Sequence, residues 1–443
     1  KKAKEKGRLM FMQSSGGLTD ARFFQGKDAI LSGPAGGVVG MVKTCEASSL
    51  NQLIGFDMGG TSTDVSHYAG DYERTSETEV AGVRCRAPMM LIHTVAAGGG
   101  SILHFDGARY RVGPDSAGAK PGPACYRNGG PLTITDCNVM LGKLNPDYFP
   151  KVFGPNADQP LDAEIVKDKF NALAKNISQA TGNQVNPKEV AEGFLSIAID
   201  NMSNAIKKIS VQRGYDVSNY TMSCFGGAGA QHACLVADSL GIENIHLHPF
   251  AGVLSAFGMG LADTRVINDL AIESILHIDL IKTIETELES LKLKGTRQMS
   301  EQGIGASSLK YYYRLQIRYD GSDSALSIKF DSIDRIILAF EDAHRARFGF
   351  ISKEKQLIVE SIQVETVSKS DLSVKNKPRN KNTAHKLLTK KQVVMNGKSQ
   401  QTAFYNRDQV ATGIPLPGPA VIVEDTSTII VEPGWQAELS ANN

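Results

Sequence analysis

The stretch Gly55-Phe56-Asp57-Met58-Gly59-Gly60-Thr61-Ser62-Thr63-Asp64-Val65 decides how the rest of the chain is read. An apolar run (Leu53, Ile54, Phe56) ends on an aspartate; two glycines and two threonines follow, and a second aspartate opens a new β-prone segment. The pattern predicts a hairpin. Glycine lets the main chain approach a ligand closely, so such a turn can wrap N–H groups and hydroxyls around a phosphate. Asp57 and Asp64 stand where a hydrated Mg²⁺ would take oxygen ligands. The plainer alternative is a glycine-rich hairpin with a capping aspartate. It is not a Gly-Lys-Ser/Thr phosphate loop, because no such residues follow the glycines.

Upstream, Ile30-Leu-Ser-Gly-Pro-Ala-Gly-Gly37 leads into Val38–Thr44, which reads as a glycine turn and a helix with an open N-terminus. Such an end attracts anions, although glycines there also serve close packing. Downstream, β-type segments are expected at Asp64–Tyr68, Glu79–Arg86, Met90–Val95, Ile102–Phe105 and Tyr110–Val112. The loop Gly113–Gly130 is long and dense in glycine and proline, with Cys125-Tyr126 embedded, and reads as functional. Asp162–Ala174 and Pro187–Ser210 are predicted helices. In the second, Val190, Phe194, Ile197, Ala198, Met202, Ala205, Ile206 and Ile209 mark one apolar face at helical spacing. Tyr220–Phe225, the turn Gly226–Gly229, the helix Ala230–Leu240 and Ile245–His248 form a strand–turn–helix–strand unit typical of α/β folds.

After Asp263 the composition changes. A helix at Ile278–Leu293, strands at Tyr311–Tyr319 and Ser324–Phe330 around Asp320-Gly-Ser-Asp323, a helix at Ile333–Phe348 and a strand at Leu357–Val367 suggest a small α+β domain. Asn376–Lys386 reads as a polar linker, and Val393–Gln436 as short strands broken by glycine and proline. The expected division is 1–263, 264–375 and 376–443, in keeping with a length of 443 residues. Lys+Arg 48 against Asp+Glu 47 leaves a net charge of +1, with no basic stripe to argue for nucleic acid. The basic run Lys375–Lys391 reads as a solvated linker. No apolar run reaches the ~20 residues needed to span a bilayer, and no secretory signal stands out. The six cysteines form no CxxC, so reduced thiols in a cytoplasmic protein are expected.

Three glycine loops on one α/β framework have a common explanation in a nucleotide held from several sides. Gly59, Gly60, Thr61 and Thr63 would hold the outer phosphates. Asp57 and Asp64 would reach the metal or a water. Gly226, Gly227 and Gly229 would let the backbone lie along ribose and adenine.

Six motifs in order carry a resemblance: Gln13-Ser-Ser-Gly-Gly-Leu18, Leu31-Ser-Gly-Pro-Ala-Gly-Gly37, Asp57–Asp64, Thr94-Val-Ala-Ala-Gly-Gly-Gly-Ser101, Gly122-Pro-Ala-Cys-Tyr126 and Phe225-Gly-Gly-Ala-Gly229. With Gly418–Glu424 and Glu432-Pro-Gly-Trp435, the chain resembles the hydantoinase A/5-oxoprolinase family, most weakly over Ile272–Lys391. The resemblance implies one lobe of an actin/Hsp70/sugar-kinase-like ATPase fold, followed by a smaller α+β domain and a β-rich tail. It implies ATP and Mg²⁺ as cofactors and a small cyclic amide as substrate, opened through a phosphorylated lactam; hydantoin opening and ketone carboxylation are the family's other chemistries. No second Asp-x-Gly-Gly-Thr run precedes Asp57. A preceding lobe and a hydantoinase B half are therefore the expected partners, without which this piece alone should be inactive. A non-catalytic assembly module is the alternative from another class.

Other residues stay open at this stage. His93 is a ligand, an acid–base group or a core histidine. Asp136 is a third metal carboxylate or a turn cap. Cys125 reads as a small buried residue, His232 as packing beside the nucleotide, and His246 and His248 as structural.

Overall fold

The computed structural model describes residues 8–80, 83–372 and 384–440. Its helices are α1 (Ser32–Glu46), α2 (Ile134–Met140), α3 (Ala163–Thr181), α4 (Pro187–Ile209), α5 (Ala233–Leu240), α6 (Leu254–Leu261), α7 (Ile278–Glu301) and α8 (Ile333–Phe348).

The first unit is built on a five-stranded sheet. Gln52–Met58 (β1), Thr63–Ala69 (β2) and Ile92–Val95 (β3) form an antiparallel meander. Thr221–Phe225 (β4) lies parallel to β1 on its other side, and Asn244–His246 (β5) lies parallel to β4, so the order is β5-β4-β1-β2-β3. Leu53, Ile54 and Phe56 of β1 are fully buried, as a strand covered on both faces requires. Leu53, Tyr68 and Phe225 pack toward α1 and α6, whereas Ile54, Phe56 and Val65 pack toward α4. The apolar stripe of α4 is core, apart from a partly covered Ile197. Asn186 caps that helix: its Oδ1 accepts from the N–H groups of Lys188 and Glu189, and Glu189 returns the bond. This is the mixed α/β lobe expected from the sequence.

Two local expectations are corrected. α1 begins at Ser32, so the glycines before Val38 lie inside the helix. There they allow a close crossing: a Cβ on Gly36 would sit 2.7 Å from the Ser255 carbonyl, and one on Gly258 would sit 2.0 Å from that of Gly36. Packing against α6 accounts for Gly36 and, through Ser255, for Gly37, whereas a Cβ on Gly33 would meet nothing within 4 Å. The segment Glu79–Arg86 is not one strand but spans the end of the antiparallel pair Arg74–Val80 and Val83–Met90; residues 81–82 lie outside the described residues.

The second unit contains a strand that the sequence reading missed, Thr264–Ile275 (β6), with Leu309–Tyr319 (β7), Leu326–Lys329 (β8) and Leu357–Ser368 (β9). The sheet runs Met10–Met12, Leu18–Asp20, β6, β9, β7, β8. It thus takes strands from both sides of the expected boundary at 263. Its own core joins Ile284 and Leu288 of α7, Phe340 of α8, and Leu315, Ile317 and Ile362. The buried Glu365 pairs with Arg265 of the neighbouring β6 and with Arg74, and the Arg74 pair ties this sheet to the first unit.

Residues 376–383 of the expected linker, and with them Lys377, Arg379 and Lys381, lie outside the described residues. The C-terminal sheet, Leu387–Met395 (β10), Lys398–Asn406 (β11), Ala420–Val423 (β12) and Thr428–Val431 (β13), is no free tail. Val394, Ala420, Ile422, Ile429 and Val431 enter the same core as α4. Lys143 and Glu432 form a buried ion pair across the junction.

Candidate functional site

The turn between β1 and β2 closes through a hydrogen bond from the Gly59 N–H to the Ser62 carbonyl, at 3.1 Å. The carbonyls of Gly59 and Gly60 accept from the N–H groups of Gly99 (3.1 Å) and Gly100 (2.6 Å). Gly98 must be glycine, because a Cβ there would lie 2.6 Å from the Thr61 main chain. The triplet Gly98–Gly100 therefore backs the turn and takes up its carbonyls. The N–H and hydroxyl of Thr135 both donate to the Gly99 carbonyl.

The second glycine bend meets the first at one atom. The Met58 carbonyl accepts from the Ala228 N–H at 3.0 Å. Gly226 has φ +81° and passes so close that a Cβ would lie 2.3 Å from the Met58 oxygen. Gly59, Gly60 and Thr61 line one cleft with Gly227 and Ala228, of about 500 Å³. Gly229 sits behind it, against Cys224. Thr63 does not take part: its buried hydroxyl donates to the Ala97 carbonyl at 2.5 Å, so the expected phosphate contact from this residue is withdrawn. The cleft also holds residues that the sequence reading did not assign, among them Thr135, Gln231 and, from the C-terminal unit, Thr426. Tyr126 lines it too, in line with the functional reading of the loop Gly113–Gly130. No local signal marks Gln231 or Thr426; only the docking of distant segments brings them there.

Asp57 and Asp64 face each other across the β1/β2 ladder, and Thr94 of β3 continues the row. They do not line the 500 Å³ cleft but stand at the root of its hairpin, on the face covered by α1 and α6. The Asp57 carboxylate accepts from the Ser255 hydroxyl at 3.5 Å; burial, and then the charge of Asp64, push its pKa up to about 7. Burial raises Asp64 as well, against the hydroxyl of Thr94, which donates to it at 2.6 Å. Neither carboxylate has a lysine or arginine partner among the described residues. Two adjacent carboxylates short of counter-charge suit a hard cation that keeps water or phosphate oxygens in its remaining positions.

The other expected residues lie elsewhere. His93 pairs with Val65, not Asp64, and so projects from the opposite face, where burial and then the charge of Lys208 lower its pKa. It does not converge with the aspartates. Asp136 is fully buried as the third residue of α2. Its carboxylate accepts from the N–H groups of Ala124, Cys125 and Thr133 and from the Thr133 hydroxyl. All its capacity goes into a capping box and a loop clamp, so the turn-cap alternative describes it and the metal alternative does not. No group of three or more His, Cys, Asp or Glu side chains suited to a metal occurs among the described residues. Cys125 is buried, with a thiol pKa raised by burial and by Asp136. His232, His246 and His248 are buried as well; the Nδ1 of His246 faces the Cys45 sulfur, and that of His248 accepts from the Phe250 N–H.

The hydantoinase/oxoprolinase sequence profile matches residues 1–268, and that of the hydantoinase/oxoprolinase C-terminal domain matches 274–443. The 5-oxoprolinase 1 of Arabidopsis thaliana is 39% identical over 449 residues, covering 97% of this chain and 35% of that protein. The chain spans about a third of the length of such curated relatives. The crystal structure of the ATP-dependent caprolactamase from Pseudomonas jessenii superposes with a TM-score of 0.88 at 26% identity, covering 99% of this chain and 64% of that one. A nucleotide-free acetone carboxylase shares the fold, with a TM-score of 0.74 at 23% identity and coverage of 99% and 64%. With both profiles matched along nearly its whole length, and with the glycine bends meeting in one cleft, the chain belongs to the hydantoinase/oxoprolinase family.

Proposed function

We propose that this chain is the nucleotide-binding lobe of an ATP-dependent cyclic amide hydrolase that opens 5-oxo-L-proline to L-glutamate. The observation that carries the reading is the joining of the two glycine bends at the Met58 carbonyl, which makes one cleft of two separate sequence motifs. The names of the relatives support the substrate, and ATP-dependent neighbours support the cofactor. A lactam is a poor electrophile. Transfer of the γ-phosphoryl group to its oxygen, with ADP leaving, activates the ring carbon. Water adds there, the C–N bond breaks with nitrogen taking a proton, and a second water releases phosphate.

The chain's own share is positioning and charge. With the carbonyls of Gly59 and Gly60 held by Gly99 and Gly100, and the Gly59 N–H used within the turn, the N–H groups of Gly60 and Thr61 would hold the outer phosphates. Asp57 and Asp64 would hold Mg²⁺, which supplies charge neutralisation for the triphosphate. Partners complete the site: the length of the relatives beyond this chain, expected to include a preceding lobe and a hydantoinase B-type half. The chain alone is then a weak ATP binder without turnover. Cys45, Cys125, Cys137, Cys224 and Cys234 are free and buried, which suits the reducing cytoplasm. No helix of the described residues is long and apolar enough to cross a membrane.

The test uses the whole protein that carries this chain. ADP release is measured with 5-oxoproline, a hydantoin, or a ketone with bicarbonate. Stimulation by 5-oxoproline alone is expected; stimulation by one of the others instead would reassign the substrate.

A further inference from the structure

The cleft contains more than a phosphate turn. Tyr126 stacks on Phe153 with ring centroids 4.3 Å apart, and Phe153 stacks beside Phe149 at 5.9 Å. Tyr126 and Phe149 both line the cleft. So does Gln231, which is only 6% exposed and ends the short helical turn Gly229–Gln231 just before α5. Its amide is tethered at one end. The fully buried Asn138 donates from Nδ2 to the Gln231 Oε1 at 2.8 Å. The same Nδ2 lies 3.4 Å from Nε2 of His232, a ring that burial keeps neutral, with a pKa lowered to about 3. With its proton on Nδ1, the neutral His232 ring accepts at Nε2, so the one Asn138 NH₂ group serves both neighbours. Gln231 is thereby left with its oxygen engaged and its NH₂ group free. That group meets no acceptor among the described residues, and it is not sealed in the interior either, unlike the Asn138 oxygen and the His232 Nδ1 behind it. An almost buried donor that opens on a ligand-sized, partly aromatic space is placed to read a ligand acceptor.

We propose that Gln231 is a specificity-determining residue whose amide N–H donates to a ring nitrogen of bound adenine, while Tyr126 and Phe149 supply apolar surface for the base. This rests on the nucleotide reading above and assigns the base its partners. Adenine presents ring nitrogens with free lone pairs and flat faces that gain from aromatic contact. The triphosphate is left to the glycine turn, so the two parts of the ligand are held by separate groups.

The experiment exploits that separation. In the whole protein, Gln231→Leu and Gln231→Glu both remove the donor while keeping most of the volume. ATP-dependent turnover is measured, together with competitive inhibition by inorganic tripolyphosphate, which has phosphates but no base. The expected result is a KM for ATP raised about 5- to 10-fold, a loss that falls on KM rather than kcat, and unchanged tripolyphosphate inhibition. Tyr126→Leu should raise the KM for ATP in the same selective way. Unchanged KM in both Gln231 variants overturns the proposal, as does equal weakening of ATP and tripolyphosphate, which would mean a distorted cleft. A wild-type protein that neither uses ATP nor is inhibited by tripolyphosphate overturns the nucleotide reading itself, a result distinct from those.

Discussion

At the scale of single residues, the two aspartates of the hairpin and Asp136 look alike in sequence and differ in what surrounds them. Asp57 is largely buried with a like charge opposite it and only one weak hydroxyl donor, so burial first, and then Asp64, push its pKa up to about 7. Asp57→Asn should therefore leave thermal stability unchanged or raised, while ATP-dependent turnover drops by about 100-fold or more; parallel melting and ADP-release assays check it. Asp136 is the reverse case. Four donors converge on it in the interior. Asp136→Ala would strand buried N–H groups and cost about 3–5 kcal/mol, measured by denaturant unfolding, and added Mg²⁺ should change that cost in neither protein. Both aspartates were legible as aspartates worth noting. Which of them had spare lone pairs was not, because that depends on Ala124 and Cys125, eleven or twelve residues away.

At the scale of elements, glycine does two different jobs here. In α1 and α6 it lets helix axes approach; in Gly98–Gly100 it lets one turn back another. Gly258→Ala would place a methyl 2.0 Å from the Gly36 carbonyl. The expected effect is a loss of about 1–3 kcal/mol in stability, with activity per folded molecule retained. Gly98→Ala instead pushes on Thr61. It should lower kcat/KM for ATP by at least about tenfold at a smaller cost in stability, a contrast that paired melting and kinetic measurements will show. The glycine-rich start of α1 resembled an anion-binding helix end because spacing alone does not say whether a missing Cβ faces solvent, a ligand or another helix.

At the scale of the whole molecule, acid sensitivity follows from burial. His232 is held at a pKa of about 3 and His246 and His248 at about 4, in each case mainly by burial. Their folded-state pKa values lie below the unfolded value of about 6.5. The unfolded chain therefore binds more protons in between. Their contribution to stability is complete above about pH 6.5 and is lost as pH falls toward 4, by up to about 1.4 kcal/mol per pH unit for each ring. Melting temperature should fall steadily over that window, and His246→Gln should make the fall shallower. Glu365 acts below it. Burial would raise its pKa, but Arg74 and Arg265 outweigh burial and hold it lowered, so its contribution is present above the ordinary carboxylate range and lost as pH drops beneath it. Glu365→Gln should loosen the second sheet from the first unit, seen as earlier unfolding of residues 264–368 in hydrogen exchange.

The hairpin, the strand–turn–helix–strand unit and the amphipathic α4 could be read in the chain because each is a local device. Their glycines, caps and apolar spacings act within a few residues. The strand Thr264–Ile275 escaped notice because its solvent-facing residues hide its pairing, which is decided by Leu357–Ser368 far along the chain. Sequence by itself determined the lobe, its two glycine bends and the family to which they belong. Tertiary structure decided that the bends meet at the Met58 carbonyl, that Thr63, His93 and Asp136 turn away from the site, and that Gln231 and Thr426 turn toward it. The physical reason is that a side chain's free donors, acceptors and charge are what remains after its neighbours in space have been satisfied, and those neighbours come from every part of the chain.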